Sequence, residues 1–128
     1  MALTIDRVIP IMRIFDEGRA REFYVAYLGF SVDWEHRFDG QGPLYMQVSR
    51  GELVLHLSEH HGDGSPGHVV YVAATGVTEF HAELQTKDYP NLNPGIDTSP
   101  GDTDDAGSCM TLLDPFGNTL RIDERRTE

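Results

Sequence analysis

The side chains best suited to chemistry in this sequence are imidazoles and aromatic rings. The chain holds six histidines, one tryptophan, five tyrosines and six phenylalanines. Imidazole nitrogens can bind a divalent metal, and aromatic rings can stack on a flat ligand or hold a cation over one face. His56 and His68 fall in segments that predict strands, whereas His60 and His61 fall in a glycine-rich loop where solvated histidines are ordinary. The sequence therefore offers two alternatives, a metal site or an aromatic binding surface.

One predicted strand carries much of the aromatic character. In a strand, alternate side chains share a face, so the segment Phe30–Phe38 is predicted to separate into two sets. The more apolar set is Phe30, Val32, Trp34, His36 and Phe38. Within it we expect Phe30 to pack in the core and Trp34 to line a cleft.

Length and charge narrow the possible functions. A chain of 128 residues with 39% hydrophobic residues predicts one folded domain. Its 21 acidic and 10 basic residues give a formal net charge of −11, which disfavours nucleic acids and anionic membranes as partners and favours cationic ligands. The acidic residues that could steer such a ligand are Asp33, Glu35, Asp39, Asp102, Asp104 and Asp105.

Cysteine content and hydropathy indicate the cellular compartment in which the protein is expected. The single cysteine, Cys109, has no partner for an internal disulfide, and we expect a buried, inert thiol. No stretch reaches the roughly 20 apolar residues that a membrane span needs, and the N-terminus lacks the pattern of a secretory signal. We therefore expect a cytoplasmic protein without a membrane partner. Glycine-rich phosphate-binding motifs are also absent from the sequence.

The first half of the chain predicts a βαβββ unit. Apolar residues at helical spacing predict a helix from Glu17 to Leu28, with Asp16 as N-cap and Gly29 as the stop. Alternating segments bounded by turn residues predict four strands, Arg7–Arg13, Phe30–Arg37, Leu44–Ser49 and Leu53–Ser58.

The second half repeats this order. A strand Val69–Ala73, a helix Val77–Thr86, a short strand near Asn93–Asp97 and two strands Cys109–Leu113 and Thr119–Asp123 are predicted. We therefore predict an α+β fold in which two βαβββ modules, at about 5–60 and about 66–125, form a single domain over 1–128. Its mainly antiparallel sheets form a cup, with the helices on the outer face.

Two motifs resemble a known superfamily. Arg21-Glu22-Phe23-Tyr24 leading into Tyr27-Leu28-Gly29-Phe30, together with Leu113-Asp114-Pro115-Phe116-Gly117-Asn118 and the strand after it, resembles the glyoxalase/bleomycin-resistance/dioxygenase superfamily, also called vicinal oxygen chelate proteins. The resemblance covers nearly the whole chain and is nearest to the bleomycin resistance proteins. It implies paired βαβββ modules and a homodimer with clefts between subunits.

The resemblance also implies where a metal would be held. Metal-dependent members take ligands from the first and last strands of each module, and those positions fall at Ile9, His56, His68 and Arg121. Ile9 has no donor atom and Arg121 is a permanent cation, so two of the four ligands are missing. We therefore expect no metal cofactor. The alternative is a lyase or dioxygenase in which His56 and His68 hold a divalent zinc, nickel, manganese or iron ion with a further ligand.

The favoured hypothesis is metal-independent sequestration. By resemblance, the protein is expected to bind a bulky cationic or aromatic small molecule, such as a bleomycin-type antibiotic, between two subunits and to confer antibiotic resistance without bond chemistry. A different antibiotic or a metabolite remains an alternative ligand. The residues expected to contact the ligand are Trp34, Phe38, Tyr45, His56, His68 and Tyr71.

Overall fold

A computed structural model of the chain describes residues 2–98 and 108–125. Eight strands form two four-stranded mixed sheets, and the fold class is α+β as predicted. The first sheet contains β1 (Ile11–Arg13), β2 (Ser31–Arg37), β3 (Leu44–Arg50) and β4 (Leu53–Ser58) in the order β1-β4-β3-β2. Only β1 and β4 pair in parallel; the other two pairs are antiparallel.

The second sheet repeats the arrangement of the first. It contains β5 (Val69–Ala74), β6 (Asp97–Thr98), β7 (Ser108–Leu113) and β8 (Thr119–Glu124) in the order β5-β8-β7-β6. The parallel pair is again formed by the first and last strands, here β5 and β8. Helix α2 (Val77–Gln85) follows β5, and the carboxylate of Glu124 accepts the amide N–H of Val77 at 2.9 Å at the start of this helix. No helix in the part of the chain that the structure describes is long and apolar enough to cross a bilayer.

The predicted strands and helices are present, and the main differences concern the first strand, the first helix and β6, which at Asp97–Thr98 begins where the strand predicted near Asn93–Asp97 ends. The first strand is shorter than predicted, because only Ile11–Arg13 pairs with β4. Pro10 cannot donate to a ladder, although its carbonyl still accepts the amide of His56 at 3.0 Å. Ile9, which was placed in this strand, lies before it.

The first helix begins as predicted but changes its winding. An α-helical turn, α1 (Glu17–Ala20), is capped by Asp16, whose carboxylate accepts the amide of Arg19 at 3.0 Å. It continues as a π-helix over Arg21–Tyr27, and the amide of Leu28 reaches back five residues to the carbonyl of Phe23 at 2.9 Å. Apolar spacing over two turns does not distinguish the two windings, and the helix ends before Gly29 at φ 81°.

One hydrophobic core joins both modules. Side chains from the inner face of the first sheet, from the helices and from the second sheet form a single cluster, in which Phe23, Tyr24, Leu57, Met110 and Leu112 are fully buried. Each sheet therefore has a face that packs on the core and a face that carries no helix. We call the latter the open face of that sheet.

A buried carboxylate ties the modules together. Asp114 is 4% exposed and accepts four hydrogen bonds: from the Tyr24 hydroxyl (2.6 Å), the Asn118 side chain (3.0 Å) and the amides of Phe116 and Asn118 (both 2.8 Å). Asn118 also donates to the carbonyl of Arg13 at 2.9 Å. The turn of the second module thus holds both the helix and β1 of the first.

Removing this carboxylate should destabilise the protein severely. Asp114→Ala leaves the buried hydroxyl of Tyr24 and two buried amides without an acceptor, so we expect a loss of about 3 kcal/mol or more in the free energy of unfolding. Tyr24→Phe removes one donor only and should cost about 1–2 kcal/mol. Urea unfolding followed by circular dichroism measures both. Equal, small losses would show that the Asp114 network is not a major source of stability.

The same contact predicts an alkaline dependence of stability. Burial, the charge of Asp114 and the hydrogen bond to it raise the pKa of Tyr24 well above its ordinary value. In the unfolded chain a tyrosine loses its proton near pH 10. Above that pH the unfolded state binds fewer protons, so stability falls as pH rises. Tyr24→Phe should lose stability less steeply between neutral pH and pH values above about 10 than the wild type. Identical slopes would contradict this assignment.

Candidate ligand-binding site

A β-bulge decides which residues of β2 face outward. The pairing with β3 shifts between Val32, opposite Val48, and Trp34, opposite Gln47. Because the extra residue Asp33 interrupts the two-residue period, Phe30 and Val32 pack on the core while Trp34 lies on the open face. The prediction that all alternate residues from Phe30 to Phe38 share one face is therefore wrong. Phe30 packs in the core as expected, whereas the expectation that Trp34 lines a cleft stays a prediction.

Beyond the bulge, the charged residues of β2 turn toward the helix. Arg21 of the helix forms ion pairs with Glu17 at 2.9 Å and with Glu35 at 2.9 Å. Arg37 hydrogen bonds to Glu17 as well. These contacts on the helix side explain why Glu35 is not free to steer a ligand on the open face.

Three rings form the centre of the open face of the first sheet. The rings of Trp34 and Tyr45 are nearly parallel, with an interplanar angle of 9° and centroids 6.0 Å apart. His56 stands edge-on to both, with centroids 5.2 Å from Trp34 and 5.1 Å from Tyr45. Trp34 is 43% exposed. We call Trp34, Tyr45 and His56 the aromatic platform.

Hydrogen bonds hold the platform in place. The Tyr45 hydroxyl lies 2.6 Å from His56 Nδ1, and His56 Nε2 lies 3.0 Å from Gln47 Oε1. Gln47 in turn donates to Asp33 at 3.0 Å, and Ser49 donates to the other carboxylate oxygen of Asp33 at 3.0 Å. The sequence analysis named Asp33 only as an acidic residue that could steer a ligand, and it did not single out Gln47. The available signal was the alternation of polar side chains with buried Met46 and Val48 along β3.

Phe38 lies at the end of the same sheet in a second cluster. Its ring meets His36 at 4.8 Å and His60 at 5.2 Å, both edge-on, and it is 42% exposed. The tight turn that follows needs glycine at position 42, because a Cβ there would overlap the carbonyl oxygen of Phe38. The sequence predicted a solvated loop position for His60. Because its ring contacts Phe38, His60 borders the candidate site.

Tyr71 lies on the open face of the other sheet. In register with Arg121, it is 61% exposed, and its hydroxyl donates to Asp123 at 2.7 Å. Val69 and Leu113 flank Thr119 in the neighbouring row and are each 53% exposed. This face therefore carries exposed apolar side chains together with the charged residues Arg121 and Asp123.

The residues expected at metal-ligand positions do not form a ligand set. His68 is exposed just before β5, Arg121 is a cation, and both ring nitrogens of His56 already have hydrogen-bond partners. Within residues 2–98 and 108–125, no three His, Cys, Asp or Glu side chains form a group that could hold a metal ion. The donors present here do not fit a catalytic divalent metal, which usually takes three protein ligands.

The carboxylates close to the platform are only partly those expected. Asp33 lies beside it, and the charge of Asp63 acts on Tyr45. Asp39 is exposed in the turn after β2. Asp102, Asp104 and Asp105 lie outside the described residues. Cys109 is buried, as expected.

A separate apolar cavity lies between the modules. Its volume is about 460 Å³, and its lining includes Leu28, Phe30, Val72 and Phe80. Arg50 borders it with its guanidinium paired to Glu83 at 2.8 Å. None of the three platform residues lines this cavity, so it is a second concave feature separate from the aromatic platform.

Comparison with known proteins identifies the family. The sequence matches a family model described as glyoxalase superfamily protein over residues 1–128. The chain belongs to this superfamily. No curated protein matches it significantly. The match to the family model confirms the resemblance drawn from the motifs around Tyr24 and Asp114.

Solved structures of superfamily members share the fold. A bleomycin-binding protein from Streptomyces verticillus complexed with copper(II)-bleomycin has 22% identity, a TM-score of 0.65, and coverage of 98% of this chain and 100% of that chain. A bleomycin resistance determinant encoded on the transposon Tn5 has 20% identity, a TM-score of 0.66, and coverage of 96% and 100%. An antibiotic-binding protein from a Streptomyces species has 19% identity, a TM-score of 0.69, and coverage of 98% and 100%. At these identities the likeness establishes the fold of this superfamily member.

The position of His56 predicts its titration. Burial lowers the pKa of His56 below its ordinary value. We expect its imidazole proton signals to titrate in the folded protein below about 6.5, the midpoint of a histidine in an unfolded chain. Because the unfolded state takes up the proton first, the stability linked to neutral His56 is present above pH of about 6.5 and is lost as pH falls. Nuclear magnetic resonance with and without urea measures the difference. A midpoint equal to that of the unfolded chain would contradict it.

Proposed function

We propose that this superfamily member binds and sequesters a bulky cationic or aromatic small molecule of the bleomycin type, without a metal of its own and without making or breaking a bond. The observation that carries the proposal is the exposed aromatic platform of Trp34, Tyr45 and His56. The likeness of the chain's fold to the bleomycin-binding protein and to the Tn5 resistance determinant supports the choice of ligand class.

The platform has the shape that a flat ligand requires. Exposed rings held in fixed orientation lose little side-chain entropy on binding, and each stacking contact adds about 0.5–1.5 kcal/mol beyond the area it buries. Trp34 is only 43% exposed because its ring is nearly parallel to that of Tyr45 and is met edge-on by His56. Phe38 extends the same surface toward the end of the sheet.

Charge supports a cationic ligand. The formal net charge of the chain is −11, Asp33 accepts a hydrogen bond from Gln47 beside the platform, and the charge of Asp63 acts on Tyr45. A negative surface attracts a cation over a distance of about one Debye length, and the face of an aromatic ring holds it on contact. Attraction at long range and recognition at short range thus favour the same ligand.

The side chains at the expected metal-ligand positions support the proposal of metal independence. Ile9 has no donor atom, Arg121 brings a fixed positive charge to its position, and His56 is engaged through both nitrogens. A divalent ion would have to displace the Tyr45 hydroxyl or Gln47 to reach His56. We therefore assign His56 to the support of the platform, and propose sequestration as the mode of action.

We further propose that the protein acts as a homodimer. The open face of the second sheet exposes Val69, Tyr71 and Leu113 around Thr119, and exposed apolar side chains grouped on one face are typical of an interface. Apposition of this face to the aromatic platform of a second subunit would enclose a ligand between them. Such an arrangement assigns Tyr71 to the far wall of the cleft.

Calorimetric titration with bleomycin tests the proposed function. Chelator-treated protein is titrated with copper(II)-bleomycin and with metal-free bleomycin, after total metal has been measured in the untreated sample. We expect binding at one site per subunit and no stoichiometric metal in the protein. A retained divalent ion that is lost in His56→Ala and His68→Ala, with no bleomycin binding, would overturn the proposal in favour of a metal-dependent lyase or dioxygenase.

Single substitutions test the location of the site. Trp34→Ala and Phe38→Ala should each weaken bleomycin binding about tenfold, because each removes a stacking surface worth about 1–2 kcal/mol. Both residues are more than two-fifths exposed at 43% and 42%, so the free energy of unfolding should change little. Phe15→Ala is the matched control, since Phe15 is an exposed ring at 56% that meets Phe116 of the second module edge-on and has no ring contact with the platform. Unchanged affinity in Trp34→Ala would show that the ligand binds elsewhere.

A further inference from the structure

The hydrogen bonds behind the aromatic platform run in one direction, and this direction limits what the platform can bind. Resting on the proposed function, we infer that the platform selects planar cations that carry N–H donors, such as amidinium or guanidinium groups, and that Asp33 and Gln47 are the positioning residues that set this preference. The chain of hydrogen bonds begins at Asp33 and ends at the Tyr45 hydroxyl.

The Asp33 carboxylate fixes the orientation of the Gln47 amide. An ionised carboxylate only accepts hydrogen bonds, and the bonds from Gln47 and Ser49 lower the pKa of Asp33, so it is ionised at neutral pH. The amide nitrogen of Gln47 must therefore face Asp33, at 3.0 Å. Its oxygen then faces His56 Nε2, also at 3.0 Å.

The Gln47 oxygen in turn fixes the tautomer of His56. An amide oxygen only accepts, so Nε2 must carry the hydrogen. A neutral imidazole has a single N–H, and burial keeps His56 neutral by lowering its pKa. Nδ1 is consequently an acceptor. The partner of Nδ1 at 2.6 Å is the Tyr45 hydroxyl, which must donate its only hydrogen to it.

With that hydrogen committed, the platform offers acceptors and electron-rich surfaces to a ligand. The Tyr45 oxygen presents lone pairs, and the ring faces of Trp34 and Tyr45 present the negative side of their quadrupoles. Both features favour a planar cation with N–H groups, which can lie on a ring and donate to the oxygen. An anion with acceptor oxygens would meet acceptors only.

Of the other charges around the platform, one adds attraction for a cationic ligand and one competes with such a ligand. The charge of Asp63 acts on Tyr45 and adds attraction for a cation. Arg7, from the segment before β1, interacts with Asp33 and would be displaced or screened by a cationic ligand. His36 and His60 contact Phe38 and lie outside the hydrogen-bonded chain.

A matched pair of probes tests the inference. Benzamidine and benzoate have nearly the same planar shape but opposite charge and opposite hydrogen-bonding character. Because Trp34 is the single tryptophan of the chain, its fluorescence reports directly on the platform. At neutral pH we expect benzamidine to bind about tenfold or more tightly than benzoate, as estimated for one cation–π contact and one charge-assisted hydrogen bond.

Variants separate the direction of the hydrogen bonds from simple charge. Gln47→Met removes the amide, keeps the Asp33 carboxylate and has nearly the same size, so we expect the benzamidine preference to fall to about threefold or less, the part that charge alone supplies. Ser49→Ala, which removes the other donor to Asp33, should retain the full preference. Long-range proton–nitrogen correlation spectra should show His56 in the Nε2–H tautomer in the wild type and Ser49→Ala, and as a mixture in Gln47→Met.

The outcomes distinguish this inference from the proposed function. If both probes quench Trp34 equally, or if Gln47→Met retains the wild-type preference and tautomer, the inference is overturned while bleomycin binding can still stand. If Trp34 responds to neither probe and not to bleomycin, the platform is not a binding site and both proposals fail. Unchanged circular dichroism of Gln47→Met excludes unfolding as the cause of a lost preference.

Discussion

The burial of Asp114 is the constraint on which the arrangement of the two modules depends. A carboxylate at 4% exposure is costly unless its lone pairs are satisfied, and here four donors from the helix of the first module and from its own turn supply that compensation. Asn118 extends the network to β1 through the Arg13 carbonyl. Because β1 pairs with β4, the strand that carries His56, the position of the aromatic platform is linked to a polar group in the other half of the chain.

Surface contacts reinforce the same joint between modules. Arg50 at the end of β3 pairs with Glu83 of α2 through two hydrogen bonds, at 2.8 and 3.0 Å, and Lys87 donates to the carbonyls of Ala26 and Tyr27. Exposed ion pairs contribute little individually, about 0–1 kcal/mol. Their effect here is on geometry, because they align the β3–β4 hairpin of the first module with α2 of the second around a shared core.

The sequence was sufficient for much of the fold and for only part of the site. Periodicity predicted the two βαβββ units, and local chemistry predicted the Asp16 cap and the stop at Gly29, because these signals depend on neighbours in the chain. The bulge at Asp33 was not predictable because it depends on pairing with β3, and the π-helical winding after Ala20 was not predictable because apolar spacing over two turns is the same for both windings. For the same reason Trp34 could be nominated from its type, whereas the roles of Gln47 and Asp33 became visible only when β2, β3 and β4 were placed side by side.

The bulge also has an evolutionary consequence. A single additional residue rotates the outer half of β2 by one side-chain position, so that Phe30 and Val32 remain with the core while Trp34 meets the solvent. Loss or gain of one codon at this point would exchange the residues on the open face and leave the earlier half of the strand in register. A lineage with this scaffold can therefore replace the exposed side chains of this sheet face in one genetic step, without a series of core mutations that each threaten folding.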